Sequence, residues 1–576
     1  MKTVSLFLSF FLIIAFLFGP IPSITAKPPL RRGPAFAKYG MVASQHELAS
    51  RIGVEVMKKG GNAIDAAIAV GFALAVVYPE AGNIGGGGFM LIRRADGTAT
   101  SIDYREMAPK ATNRDVYLDD KGNVKQGEGG PILGYRAAGV PGTVAGFEMA
   151  FKRYGSGKVK WADLIAPARK LASEGFALDR RAAALLWSYK TSLERYEDSK
   201  RIFLNGGKYL GDGDILKQTD LAATLQRIEQ AGADGFYKGE TARLIADDMK
   251  RHDGLITLDD LANYRAVERR PLVGTYRGNK IIAMPPPSSG GIVTLEVLNM
   301  LEKYDLSKME HNSSEKYHLL VEAMKRAFAD RAELMGDADF ADVPTEMLIS
   351  KEYAAKKGAS IRPDRATPSD EISAGPPAGA ESNDTTHFTV VDKDGNVVSN
   401  TYTLNNLYGS AVTPKGTGVL LNDEMDDFAA RPGKPNMFGL VQGERNAVEP
   451  GKRPLSSMTP TIVEKQDGSF WFALGARGGP RIISAVIQTI SNVVDHGMDL
   501  QHAMDAPRLH HQWLPDQILY EPYGLSPDTR KVLESYGHKF TSSPGYIASG
   551  TGISIGSENY RIGVIDSRGD GSALGY

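Results

Sequence analysis

The 576-residue chain contains no cysteine. That excludes a thiol nucleophile, thiolate metal sites, disulfides and a lipidated N-terminal cysteine. It lacks a charge excess as well: the formal net charge is -1, where a nucleic-acid binder would usually be basic. There is no acidic tail and no long run of like charge, so a charged interaction tail is excluded. No internal repeat is present, which argues against a solenoid. Outside the first residues, no segment reaches the roughly 18 uncharged apolar residues of a membrane span. The first residues are the exception. Lys2 supplies a positive start, Leu6–Phe18 an apolar core, and Ile24-Thr25-Ala26 a small-residue cleavage site before Lys27. Residues 1–26 therefore read as a secretory signal, with an uncleaved anchor as the other reading. A secreted or periplasmic protein with no stable membrane span after signal removal is expected.

What remains is of ordinary globular composition, 42% hydrophobic and 23% charged, and long enough for a large core. Ser44 and Glu47 are spaced as a capping box, opening a helix that stops at Gly60-Gly61. Asn62 caps the next helix, Ala63 to about Val77, which is apolar on nearly every face and so should be buried. Its one acid, Asp65, suits the first turn. The run Gly85-Gly86-Gly87-Gly88 lacks the Gly-Lys-Ser/Thr ending of a phosphate loop. It reads instead as close backbone packing before a strand Phe89–Arg93. Helical periodicity dominates residues 140–350, and short β-rich runs dominate the last third. Strands in both halves and many helices imply an α+β fold of stacked helix and sheet layers. Residues 362–384, rich in Pro, Ala, Gly, Ser and Asp, read as a mobile, exposed linker that tolerates chain cleavage.

Directly after that linker comes Thr385-Thr386-His387-Phe388-Thr389-Val390-Val391, and after a turn Val397–Asn405. Both stretches alternate, and Asp394-Gly395 between them signals a hairpin. Cleavage before Thr385 would give it a free α-amine beside its own hydroxyl. Such an amine titrates near 7.7–8, so one residue would supply nucleophile and general base. A turn centred on Asp394-Gly395 predicts that Thr403 faces Thr386, within one residue of Thr385. On spacing alone, a threonine there is equally a good strand residue. His387, on the face of Thr385, reads as a supporting strand residue, and His510-His511 as packing.

At this point the chain resembles the gamma-glutamyltranspeptidases, secreted N-terminal-nucleophile hydrolases. The resemblance is carried by Asp103-Tyr104-Arg105-Glu106-Met107-Ala108-Pro109, Thr385-Thr386-His387 and Tyr402-Thr403-Leu404-Asn405. It continues in Asn422-Asp423-Glu424-Met425-Asp426-Asp427-Phe428, Arg453-Pro454-Leu455-Ser456-Ser457-Met458 and Gly478-Gly479. It implies a four-layer αββα sandwich built from both halves of an autocleaved precursor. Residues 27–384 would form the large chain and 385–576 the small one, paired as a heterodimer. It implies Thr385 as processing site and nucleophile, with Thr403 as its hydrogen-bonding partner. Arg105, Ser456 and Ser457 would hold a substrate α-carboxylate, and Asn405, Glu424 and Asp427 its α-ammonium. The N–H groups of Gly478 and Gly479 would form the oxyanion hole. Arg568 would close the site by charge pairing, and Phe438 would lie in a lid loop, Pro432–Pro454. The implied donors are glutathione and other γ-glutamyl compounds, the acceptors amino acids or dipeptides, with no cofactor and no metal.

The sequence departs from the family pattern at Ala476-Arg477, where Ser-Pro is expected before the two glycines. Glu424 stands where some members carry glutamine. Three other readings remain: an acylase of the same fold acting on glutaryl or cephalosporin side chains, a surface or wall-remodelling factor, and a precursor that never processes.

Overall fold

The computed structural model describes residues 33–373 and 385–576. The signal segment and Asp384 lie outside the described residues. Two seven-stranded sheets, antiparallel at every pairing, form the centre. In one, Thr386–Val391 and Val397–Thr403 sit in the middle, flanked by Met41–Ser44 and by Gly87–Arg93, with Ala99–Tyr104 beyond. In the other, Thr461–Glu464 and Phe470–Arg477 lie between Asn279–Ala283 and Ser549–Ile555. Strands from before and after position 384 thus lie side by side in both sheets.

Period-two alternation sets the layers. Phe388 and Val390 face a core they share with the helix Ala63–Val77. Val391 faces a smaller cluster, with Met41, Ala43, Phe89 and Leu91 of its own sheet and Ile282, Ile462, Ala473 and Ile553 of the other. A third core packs the helices Gly290–Leu301, Ser314–Leu334 and Arg481–Val494 on the far side. The mixed α+β class is as expected from sequence.

The helix Ala63–Val77 has the predicted bounds and is buried at every residue. Asn62 Oδ1 accepts from the N–H groups of Ile64 and Asp65, and Asp65 Oδ2 accepts from Asn62 N–H. The cap of the preceding helix, Glu47–Lys58, is not Ser44. His46 Nδ1 accepts from Leu48 N–H, while the Ser44 hydroxyl is engaged with Ser50.

The glycine run does its work through absent side chains. A Cβ at Gly86 would lie 2.1 Å from Thr403 O, and one at Gly87 2.4 Å from Tyr104 O. This backbone therefore wedges between the strand ending at Thr403 and the one leading to Arg105.

Two further expectations are corrected. The hairpin is centred on Asp394, with Thr386 opposite Tyr402, so the same register places Thr403 opposite Thr385 rather than Thr386. Asp392 causes the shift. Its Oδ1 accepts from the N–H groups of Asp394 and Asn396, and its Oδ2 from Asn396 Nδ2, drawing a longer loop than a two-residue turn. The front of the supposed linker is also not loose. Thr367 N–H donates to Glu322 Oε1, Ser369 Oγ to Trp513 O, and Ala366 N–H to Tyr536 O, and Thr367 and Ser369 are buried.

Candidate active site

Thr385 stands at the start of its strand and lines a narrow cleft of about 20 Å³ with Arg105, Thr403, Asn405, Glu424, Asp427, Phe438, Ser456, Ser457 and Gly479. Ten of the twelve residues singled out from sequence therefore converge on one place. A larger cavity, about 600 Å³, lies elsewhere, between Tyr135, Tyr196 and His252. It holds none of those twelve residues, so size does not mark the chemical centre.

Thr403 Oγ1 accepts from Asn405 N–H at 2.9 Å. That bond fixes the hydroxyl's rotamer and leaves its O–H to donate. Asn405 has φ +77°, a left-handed conformation that asparagine tolerates. Its Nδ2 donates to Asp423 O, so the acceptor end of the amide is the one available to a ligand. His387 is buried, with its ring nitrogens against Thr401 Oγ1 at 2.7 Å and Thr389 Oγ1 at 3.1 Å. Burial pushes its pKa down to about 3. It is a neutral strut at neutral pH, not a proton carrier.

Arg105 follows the strand Ala99–Tyr104 and is fully buried. Nη1 donates to Glu424 Oε1, Nη2 to Asp427 Oδ2, and Nε to Pro454 O at 3.1 Å. Glu106 lies 3.7 Å from the same guanidinium. Burial works against the Arg105 charge, but Glu424, Asp427 and Glu106 outweigh it and raise its pKa. For the acids the balance reverses. Burial drives Glu424 well up, and pushes Glu106 up to about 7, with Arg105 only partly opposing. Neither Glu106 oxygen, nor Glu424 Oε2, has a hydrogen-bond partner. Arg105 offsets only part of the burial of Glu106 and Glu424, while the second buried guanidinium, Arg331, acts on Asp427, so the Glu106–Glu424 pair is held towards its protonated form.

Glu424 and Asp427 sit on a short 3₁₀ turn, Glu424–Asp427, tied down by Asn422, whose Oδ1 accepts from Glu424 N–H and whose Nδ2 donates to Gly85 O. Ser456 O accepts from Ser289 N–H and Oγ, and Ser456 N–H donates to Pro287 O. The cleft thus brings a cation already in contact with two acids together with two serines and an asparagine.

Gly478 and Gly479 have φ +133° and +55° and precede the helix Arg481–Val494. Their carbonyls accept from Arg481 and Ile482 N–H. Gly479 lines the cleft; Gly478 is the residue before it. Phe438 covers Gly479, where a Cβ would sit 2.8 Å from the ring. Its segment is held by Met437 N–H donating to Asp426 Oδ2 and by Gln512 Nε2 donating to Phe438 O.

Arg568 is not brought into the cleft. It donates to Glu521 and Asp566 and to the carbonyls of Met504 and Ala506. Conversely, Arg331 was not foreseen. Its Nε donates to Ser289 Oγ at 2.9 Å and its Nη2 to Ser457 Oγ at 3.3 Å. Burial brings its pKa down to about 10. One of two arginines inside a long helical pattern, it gave no spacing signal that could have singled it out.

Comparison with known proteins agrees with this geometry. The gamma-glutamyltranspeptidase family pattern matches residues 49–576. A glutathione hydrolase proenzyme of Pseudomonas sp. (strain A14) is 50% identical over 510 residues, 88% of each chain. That of Escherichia coli (strain K12) is 48% identical over 545 residues, covering 94% of this chain and 93% of the relative. Among solved structures, a cephalosporin acylase from Bacillus halodurans superposes with a TM-score of 0.84 at 27% identity, covering 97% of this chain and 99% of its own.

Proposed function

The chain belongs to the gamma-glutamyltranspeptidase family, and from that premise we propose that it is a secreted or periplasmic glutathione hydrolase and γ-glutamyltransferase matured by its own cleavage. The αββα N-terminal-nucleophile architecture, shared by a large chain 27–384 and a small chain 385–576, is part of this reading. The observation that carries it is the meeting of Thr385 and Thr403 with a buried arginine, two serines, an asparagine and two acids in one cleft.

In the precursor, the Thr385 hydroxyl adds to the carbonyl of Asp384. The peptide C–N bond breaks as the C–O ester forms, and the proton passes to the freed amine. Water then hydrolyses the ester, leaving the Asp384 carboxylate and a Thr385 with free amine and hydroxyl. In the mature enzyme that amine takes the hydroxyl proton while Oγ attacks the γ-carbonyl of the donor. Thr403 O–H donates to Oγ and holds its rotamer. The oxyanion forms against the Gly478 and Gly479 N–H groups, donors of a kind worth about 3–4 kcal/mol each in a transition state. The Thr385 ammonium returns its proton to the leaving amine. Water or an acceptor amine then takes the γ-glutamyl group from the ester.

The substrate's zwitterionic head gives specificity. Its α-carboxylate meets Arg105, Ser456 and Ser457 through charge-assisted bonds. Its α-ammonium meets Asn405, Glu424 and Asp427, which are acceptors. The incoming ammonium also supplies the positive charge that the excess of acid around Arg105 lacks. Phe438 and its loop exclude water. A glutaryl group has no α-amine and would bring no positive charge to the excess of buried acid around Arg105, which disfavours the acylase reading.

A denaturing gel with an anilide assay tests this. Wild type should give two bands, the lighter beginning Thr-Thr-His-Phe, and should release p-nitroaniline from γ-glutamyl-p-nitroanilide but poorly from the glutaryl analogue. Thr385→Ala should give one inactive band. An active enzyme in one piece would refute the reading.

A further inference from the structure

A second polar cluster lies beside the cleft. On the strand Phe470–Arg477, Ala473 faces the opposite sheet, and a Cβ on Gly475 would come within 2.4 Å of the His387 ring. Arg477 is the next residue on that face. It pairs in register with Ser549. Ser549 Oγ and Gln45 Oε1 both border Gly569, at 2.4 and 3.4 Å from its would-be Cβ. Gln45 follows the strand Met41–Ser44, whose register with Thr386–Val391 carries it beside His387. Tyr78, at the end of the helix Ala63–Val77, lies under the Arg181 guanidinium, 5.4 Å from ring centroid to carbon. Arg181 in turn reaches Asp570, the neighbour of Gly569. The cluster therefore occupies the end of the inter-sheet space where Thr385 begins its strand.

Several of its polar atoms are unused. Gln45 Oε1 and Nε2, Ser549 Oγ and Arg477 Nε are buried without a hydrogen-bond partner, and the Tyr78 hydroxyl lies against Arg181. A buried polar atom left without a partner is unfavourable, so several together mark a place built for something else. Among the described residues no carboxylate lies within ion-pair distance of Arg477, whereas Arg181 is matched by Glu80 at 2.7 Å and Asp570 at 3.0 Å. Burial raises the Tyr78 pKa, and Arg477 is the strongest opposing influence, ahead of Arg181. Arg477 stands two residues before Gly479, yet is not part of the cleft that takes the glutamyl head. A group meeting it therefore lies outside the part of the substrate that the glutamyl cleft takes.

We propose that Arg477, with the Tyr78 and Ser549 hydroxyls and the Gln45 amide, forms a carboxylate subsite for the amine side of the reaction. It would hold the terminal carboxylate of the leaving amine in a donor such as glutathione, and that of an amino-acid or dipeptide acceptor. A guanidinium fork with neutral donors around it is suited to a carboxylate. This inference rests on the γ-glutamyl reading above.

The test compares substrates with and without that carboxylate. Wild type should transfer to glycylglycine about tenfold better, in kcat/KM, than to glycylglycinamide. Arg477→Gln should shrink that preference to less than twofold. It should also lower the ratio of kcat/KM for glutathione over γ-glutamyl-p-nitroanilide by about tenfold. Arg477→Lys should restore part of both, and Tyr78→Phe, which removes only a hydroxyl, should lower both ratios about threefold. Two-band gels and melting curves confirm that each variant is folded and cut. An equal loss on glutathione and anilide in both the Gln and Phe variants, or a wild type indifferent to the acceptor carboxylate, overturns the subsite while γ-glutamyl turnover persists. A wild type that turns over no γ-glutamyl compound overturns the functional reading and the subsite together.

Discussion

Replacing Arg105 by glutamine probes the charge arrangement most directly. The guanidinium is fully buried and holds Glu424 and Asp427, with Glu106 3.7 Å away. A charge-assisted hydrogen bond contributes about 1.5–3 kcal/mol, and a fork on a substrate carboxylate makes two, so the gross loss is about 3–6 kcal/mol. Arg105 is already engaged in the unliganded cleft, which offsets part of that gain. A fall in kcat/KM on the order of a hundredfold is therefore expected. The assay is p-nitroaniline release from γ-glutamyl-p-nitroanilide and from 4-aminobutyryl-p-nitroanilide, which keeps the amine and lacks the α-carboxylate. Wild type should favour the first by about a hundredfold, and Arg105→Gln should lose most of that preference. Cleavage into two chains should persist, because Arg105 meets substrate and not the scissile peptide. The orphaned acids should also make the variant melt lower, by about 3–5 kcal/mol of stability, as for any broken buried pair. A variant retaining more than about a fifth of wild-type kcat/KM, or the full preference for the α-carboxylate, would refute the reasoning.

Thr403→Val keeps shape but removes the hydroxyl; cutting and turnover should slow together, by about ten- to a hundredfold, as seen in gel time courses and anilide kinetics. Gly479→Ala should cost at least about tenfold in kcat, because φ is +55° and the new Cβ would lie 2.8 Å from the Phe438 ring. Unchanged kinetics would remove Gly479 from the oxyanion role. Burial pushes the Asp426 carboxyl up to about 7. With its folded pKa above the unfolded value, it stabilises fully below about pH 4, and the contribution fades as pH rises through 7. Asp426→Asn should therefore flatten the fall in stability between pH 5 and pH 8, by up to about 3 kcal/mol, read from melting curves. An undiminished slope would show that another group dominates.

The parts of this molecule that local chemistry dictates could be read in advance. The helix Ala63–Val77 has its predicted ends because Asn62 and Asp65 cap each other and every face is apolar. The strand Thr386–Val391 was equally plain from alternation. Errors arose where one side chain overrode a local rule. Asp392 lengthened the hairpin loop and moved the register by a residue, and His46 took the cap that Ser44 was spaced to make. The composition of residues 362–373 suggested a loose linker, but Glu322, reaching from another helix, holds Thr367. The cleft residues became legible only jointly, through the family resemblance. Arg331 stayed hidden because its role comes from the packing of Ser289 and Ser457, which no spacing along one helix encodes.

Both sheets interleave strands from either side of position 384. Before the scission proposed at that position, assembling them is a unimolecular reaction. Afterwards the same strands belong to two molecules, and regaining the fold becomes second order, slowed by dilution and exposed to competing association. Maturation is then a ratchet: the order is fold first, cut second, and an enzyme unfolded after its cut has lost the route by which it was made.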